Sequence, residues 1–127
     1  MWHALDIVFM VGHTTVVVFV VLGWTMRATR PWHLVACLLT AVSWVLLGMR
    51  YGFGYCFLTD WHWRVREQLG HHDMPNSFIK YLCDTITGWD WNPVLIDVIT
   101  GGSFILACLV TIVLNLRDRR RRLQNAS

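Results

Sequence analysis

Charge is scarce in this chain. Asp, Glu, Lys and Arg make up 15% of its 127 residues, where a soluble domain carries about 25%. With 55% hydrophobic residues and a positive mean hydropathy, residues 1–127 read as one small integral membrane domain. A basic n-region ahead of the first apolar run is missing too. That run, Leu5 to Met26, is long enough to span a bilayer, so it reads as a mature transmembrane helix and not as a cleavable signal. Cys37, Cys56, Cys83 and Cys108 contain no paired Cys-x-x-Cys, which argues against a zinc or iron–sulfur site built from this chain alone. No catalytic motif is of comparable strength, so class and topology are legible and biochemical role is not.

A basic surface patch for nucleic acid is also lacking. Of the 11 basic residues, Arg27, Arg30, Arg117, Arg119, Arg120, Arg121 and Arg122 lie directly beside apolar runs, where they act as topology determinants and contacts to anionic lipid. The implied partners are membrane lipids and other membrane-protein subunits, with no nucleic acid.

What the chain does have is three membrane-length runs, at 5–26, 32–52 and 93–116, followed by a basic tail at 117–127. The fold class is all-α. Arg27-Ala-Thr-Arg30-Pro31 is a tight connection, so the first two helices form an antiparallel hairpin, with proline harmless at a helix start. Placing both basic sites in the cytoplasm gives three crossings with the N-terminus outside and the C-terminus inside. In the long connection, 54–92, the acids slightly outnumber the bases once Arg50 is included, which suits an external face.

That connection is itself patterned. Thr59 or Asp60 can cap a short helix that stops at Gly70, with Trp61, Val65 and Leu69 on one face. Asn76 or Ser77 can cap a second, with Phe78, Leu82 and Ile86 on one face and Gly88 as its end. Both are expected in the membrane interface, where Trp61, Trp63, Tyr81, Trp89 and Trp91 form an aromatic belt. Asn92-Pro93 reads as cap and first-turn proline of the last crossing. A competing arrangement lets the second short helix dip in as a re-entrant fourth segment.

At Cys56-Phe-Leu-Thr-Asp60 and at Ser77-Phe-Ile-Lys-Tyr-Leu82 the chain resembles the bacterial membrane-protein family of domain of unknown function 2784. That family opens with an apolar helix bearing a histidine, places a Cys-Pro-Leu-Thr element after its second helix and ends on an apolar helix. Here Phe57 stands where the family usually has proline. The resemblance covers most of the chain in layout and implies a bacterial inner-membrane protein; it carries no activity over.

Ionisable groups at membrane depth need a partner or water. Asp6, Arg50 and Asp97 share one level and are expected to form a structural polar cluster. His13 lies deeper on the face of Asp6, beside Gly12. It reads as a histidine satisfied by Ser, Thr or backbone groups, or alternatively as a ligand or hydrogen-bonding contact to a cofactor such as a haem, pigment or quinone shared with another subunit. A bis-histidine haem within the chain is disfavoured, because the second helix offers Ser43 or Trp44 at that depth and His33 lies at the opposite interface. Asp60, His62, His71, His72 and Asp73 bracket one short helix and are candidates for an external metal, against a plain solvated loop. Cys56 and Cys83 are candidates for a disulfide in the external segment. Gly101 and Gly102 offer close approach to another helix.

Three functional readings follow, in this order. The first is an accessory subunit of a larger bacterial inner-membrane complex of photosynthetic or respiratory type, anchored through its tryptophans and Gly101–Gly102. The second is a cofactor binder using His13 and Trp residues for a pigment, haem, quinone or lipid. The third is a metal-dependent enzyme with an external His/Asp site.

Overall fold

Runs that are apolar on every side have no water-facing stripe, and each of the three runs folds as one long helix. The computed structural model describes all residues, Met1–Ser127, as five helices and no strand. They are α1 (Trp2–Leu22), α2 (Arg30–Tyr51), α3 (Phe57–Gln68), α4 (Phe78–Thr87) and α5 (Pro93–Ala126). α1, α2 and α5 are long and apolar enough to cross a membrane, and the architecture fits a membrane protein.

The first helix ends at Leu22, four residues before the expected Met26. Gly23 lies against His33, and a Cβ there would stand 2.6 Å from the Phe19 carbonyl and 2.8 Å from the imidazole. The hydroxyls of Thr25 and Thr29 donate to the carbonyls of Leu22 (2.7 Å) and Gly23 (2.6 Å), so the turn closes early. His33 is fully buried and donates from Nε2 to the Val20 carbonyl at 2.7 Å, pinning α1 to α2 at the arginine-rich end.

The last helix departs more from expectation. Asn92 accepts from the Val94 and Leu95 amides and Pro93 opens the helix as read, but the basic tail is not a separate segment. Helix continues through it to Ala126, some ~50 Å in all at 1.5 Å per residue.

The connection does not lie flat across the opposite end. α3 runs antiparallel to α1, from Cys56 beside His13 out to His62 and Arg66 beside Asp6. α4 starts equally deep, with the Phe78 ring stacked on His13, and then packs along α5. Both short helices therefore begin inside the bundle. The expected cap at Thr59 or Asp60 is corrected: α3 starts one turn earlier, with Cys56 as N-cap and the Phe57 amide donating to Ser43 Oγ on α2 at 2.9 Å. Gly70 and Gly88 act where expected, at φ +87° and +72°, while Ser77 takes the N-cap position of α4 without a side-chain hydrogen bond.

The core lies where these pieces meet. Tyr55, Trp63 and Phe78 form it, with Met10, Val17, Leu47 and Tyr81 packed around. Trp63 is thus an interior residue, 5% exposed, whose indole donates to the Pro75 carbonyl at 2.9 Å. Trp61 and Trp89 remain exposed, and Trp91 is half-buried with its indole on Thr87.

Candidate functional site

His13 sits midway along α1, where a helix in hydrocarbon has no water to offer a polar side chain. It is 6% exposed. Phe78 covers one ring face, with centroids 3.9 Å apart and planes 13° from parallel. The Cys56 thiol stands 3.6 Å from Nε2 and 3.2 Å from the Thr59 hydroxyl. Nδ1 is buried without a partner, so the expectation that Ser, Thr or backbone groups satisfy the ring is corrected.

This histidine forms part of the wall of a cleft of about 480 Å³ between α1, α2, α5 and the starts of α3 and α4, open on the side of the exposed Val21, Leu39 and Ile99. Fourteen of its 20 lining residues are hydrophobic, among them Val16, Leu39, Trp44 and Phe104. The polar lining is His13, Thr40, Ser43, Thr100 and Ser103. Phe57 and Leu58 of α3 and Phe78 and Ile79 of α4 complete it; the α4 start carries no side-chain cap, while the Phe57 amide of α3 is met by Ser43 Oγ. The first amides of a helix lack intrahelical acceptors and carry the positive end of its dipole. One apolar cleft thus meets the starts of α3 and α4, the first of which is tied to Ser43, and has His13, whose buried Nδ1 is unpartnered, among its lining residues.

Towards the end of the bundle away from the arginines lies a second polar group. His62 donates from Nε2 to Asp6 Oδ1 at 2.7 Å, and Arg66 Nη1 donates to both Asp6 oxygens at 3.2 and 3.3 Å. The Arg66 guanidinium lies 4.8 Å from the Tyr81 ring centre. Burial is the leading influence on His62 and pushes it below the ordinary imidazole value; Arg66 adds to this, and Asp6 opposes it. Phe78 links the two histidines, with ring centroids 5.9 Å from His62 and 3.9 Å from His13.

The expected Asp6–Arg50–Asp97 cluster does not form. α3 presents His62 and Arg66, four residues apart and therefore on one face, directly to Asp6. Arg50 is exposed, with its guanidinium 5.6 Å from the Tyr51 ring centre, and Asp97 makes no ion pair, lying instead next to Gly54. All four cysteines are free thiols, so Cys56 and Cys83 are not bridged; Cys56 belongs with His13 instead. His62 points inward to Asp6 while His71, His72 and Asp73 are exposed, and no group of three or more metal-ligating side chains gathers. Gly101 is covered by Phe53, whereas Gly102 faces open space.

Several contributors escaped the sequence reading. Arg66 belongs to the Asp6 group and Phe78 touches both histidines, and the i, i+4 spacing of His62 and Arg66 was the available signal. Lys80 is another: it reaches Asp84 and Asp90, and these two carboxylates hold its ammonium above the ordinary lysine value. Asp84 also accepts from the Trp91 amide at 2.9 Å, tying α4 to the approach of α5.

No curated protein and no solved structure matches this chain. The family described as Protein of Unknown function (DUF2784) matches residues 3–116, and the chain belongs to that family.

Proposed function

We propose that this protein is a membrane-embedded binder of an elongated apolar molecule that carries one hydrogen-bonding head, of the quinone type. The observation that carries this reading is an apolar cleft of about 480 Å³ lined in part by His13, whose buried Nδ1 has no partner. A buried polar atom left without a partner costs about 1–3 kcal/mol, which a ligand head recovers by hydrogen bonding to it. The start of α4, which has no side-chain cap, favours a head with carbonyl or carboxylate oxygens, and the valine, leucine and aromatic walls suit an isoprenoid or acyl tail. Haem or pigment ligation through Nε2 fits less well, because that nitrogen is turned to Cys56 and Phe78 covers the ring face.

The setting proposed is the bacterial inner membrane, with the N-terminus periplasmic and the C-terminus cytoplasmic. Support comes from the arginines at 27, 30, 117 and 119–122, which lie together at one end of the bundle. A second reading, an accessory subunit of a photosynthetic or respiratory complex, is favoured by Gly102 and Ser103, which leave a small-residue face of α5 open for a partner helix.

The test is to extract the protein in mild detergent and measure co-purifying quinones and lipids by mass spectrometry, beside His13→Leu and Ala36→Trp variants. Loss of one buried hydrogen bond is expected to weaken retention about tenfold in His13→Leu, and Ala36→Trp, which fills the cavity, should abolish it. Unchanged ligand content in both variants would remove the proposal and leave the accessory role.

A further inference from the structure

Where α2 begins and α5 leaves the apolar bundle, two adjoining cavities open between them. The outer one, about 470 Å³, is lined by Arg27, Asp118, Arg121, Arg122 and Asn125, with no hydrophobic residue. The inner one, about 390 Å³, shares Arg27, Asp118 and Arg122 and adds Leu34, Ile112 and Leu116 as an apolar wall. Asp118, Arg121, Arg122 and Asn125 follow the i, i+3, i+4, i+7 pattern of a single helix face. They converge because α5 remains helical beyond Leu116 and carries that face over Arg27.

The charge in this place is only partly compensated from within, by Asp118. Asp118 is engaged by Arg30 at 2.7 Å. Arg30 is itself fixed, its Nε donating to the Trp24 carbonyl at 2.9 Å while its own carbonyl accepts from Asn115 at 3.2 Å. Arg27, Arg121 and Arg122 form no ion pair with any carboxylate of the chain. Three unpaired guanidinium groups thus surround a polar cavity that opens onto an apolar one.

We propose that the two cavities together are a binding site for one phospholipid with an anionic headgroup. Its phosphate lies among Arg27, Arg121 and Arg122, and an acyl chain follows the Leu34–Ile112–Leu116 wall. Guanidinium forks match phosphate oxygens in two-point geometry, and basic pockets between membrane helices favour anionic headgroups. The apolar inner cavity is what selects a lipid over free phosphate.

The experiment counts lipids bound to the full-length protein by native mass spectrometry as phosphatidylglycerol or phosphatidylcholine is titrated in, with glycerol phosphate as a soluble competitor. Arg121→Gln/Arg122→Gln is compared with Arg117→Gln/Arg120→Gln, which removes the same charge from the side of α5 that lines neither cavity. The wild type should prefer one phosphatidylglycerol, and the first pair should weaken it about thirtyfold, at about 1 kcal/mol per arginine near the surface. The second pair should leave affinity within about threefold, the low end of a screened surface effect. Equal weakening by both pairs, no preference for the anionic lipid, or displacement by glycerol phosphate each overturns the proposal. Helical content of both pairs by circular dichroism separates loss of the site from loss of the helix end.

Discussion

Replacing Asp6 by alanine removes the carboxylate that His62 and Arg66 share. The Arg66 side chain is 13% exposed and has no other acidic partner, so its charge would stay in place uncompensated. Deleting one member of a buried pair costs about 3–5 kcal/mol. Asp6 is 22% exposed, so water relieves part of this, and the low end, about 3 kcal/mol, is expected. That corresponds to about a 150-fold change in the ratio of folded to unfolded protein. Asp6→Asn keeps an acceptor for His62 and should cost about half as much. The measurement is reversible unfolding of the whole chain in mixed micelles as SDS is increased, followed by near-ultraviolet circular dichroism of the buried Trp63. Arg66→Ala added to Asp6→Ala should cost little more, giving a coupling of about 1–3 kcal/mol. If Asp6→Ala lies within about 0.5 kcal/mol of wild type, or the two substitutions add independently, the network does not join α1 to α3.

Burial holds His62 below its ordinary value of 6.5, so the unfolded chain takes up a proton before the folded one does. Its contribution is complete above that pH and is lost as pH falls towards the lower folded value, with a slope up to about 1.4 kcal/mol per pH unit. His62→Gln should remove that component; identical slopes for variant and wild type between about pH 5 and pH 7 would contradict it. Gly23→Ala, whose Cβ meets backbone at 2.6 Å, should destabilise by about 1–3 kcal/mol in the same unfolding assay, while Gly12→Ala, with nothing within 4 Å, should be neutral or favourable. N-ethylmaleimide under non-reducing, denaturing conditions should add to all 4 cysteines in the intact mass, and two missing adducts would restore the Cys56–Cys83 bridge.

The three long helices, the cap at Asn92, the stops at Gly70 and Gly88 and the class of the protein are local matters. They follow from apolar run length, from side chains that satisfy neighbouring amides and from backbone that only glycine adopts freely. Partner choice is different, because it depends on which segments approach across the chain. Asp6, Arg50 and Asp97 share a level along their helices, but nothing in their spacing reveals that α3 lies lengthwise on α1 and offers His62 and Arg66 first. The depth of Cys56 and Phe78 was hidden for the same reason: the amide of Phe57 is met by Ser43 from another helix, so α3 begins inside the bundle. Arg117 and the arginines at 119–122 marked one end of the molecule from sequence alone. Only the unbroken helix of α5 decided that two of them stand over Arg27, because side chains 3 and 4 residues apart share a face only while the backbone remains helical.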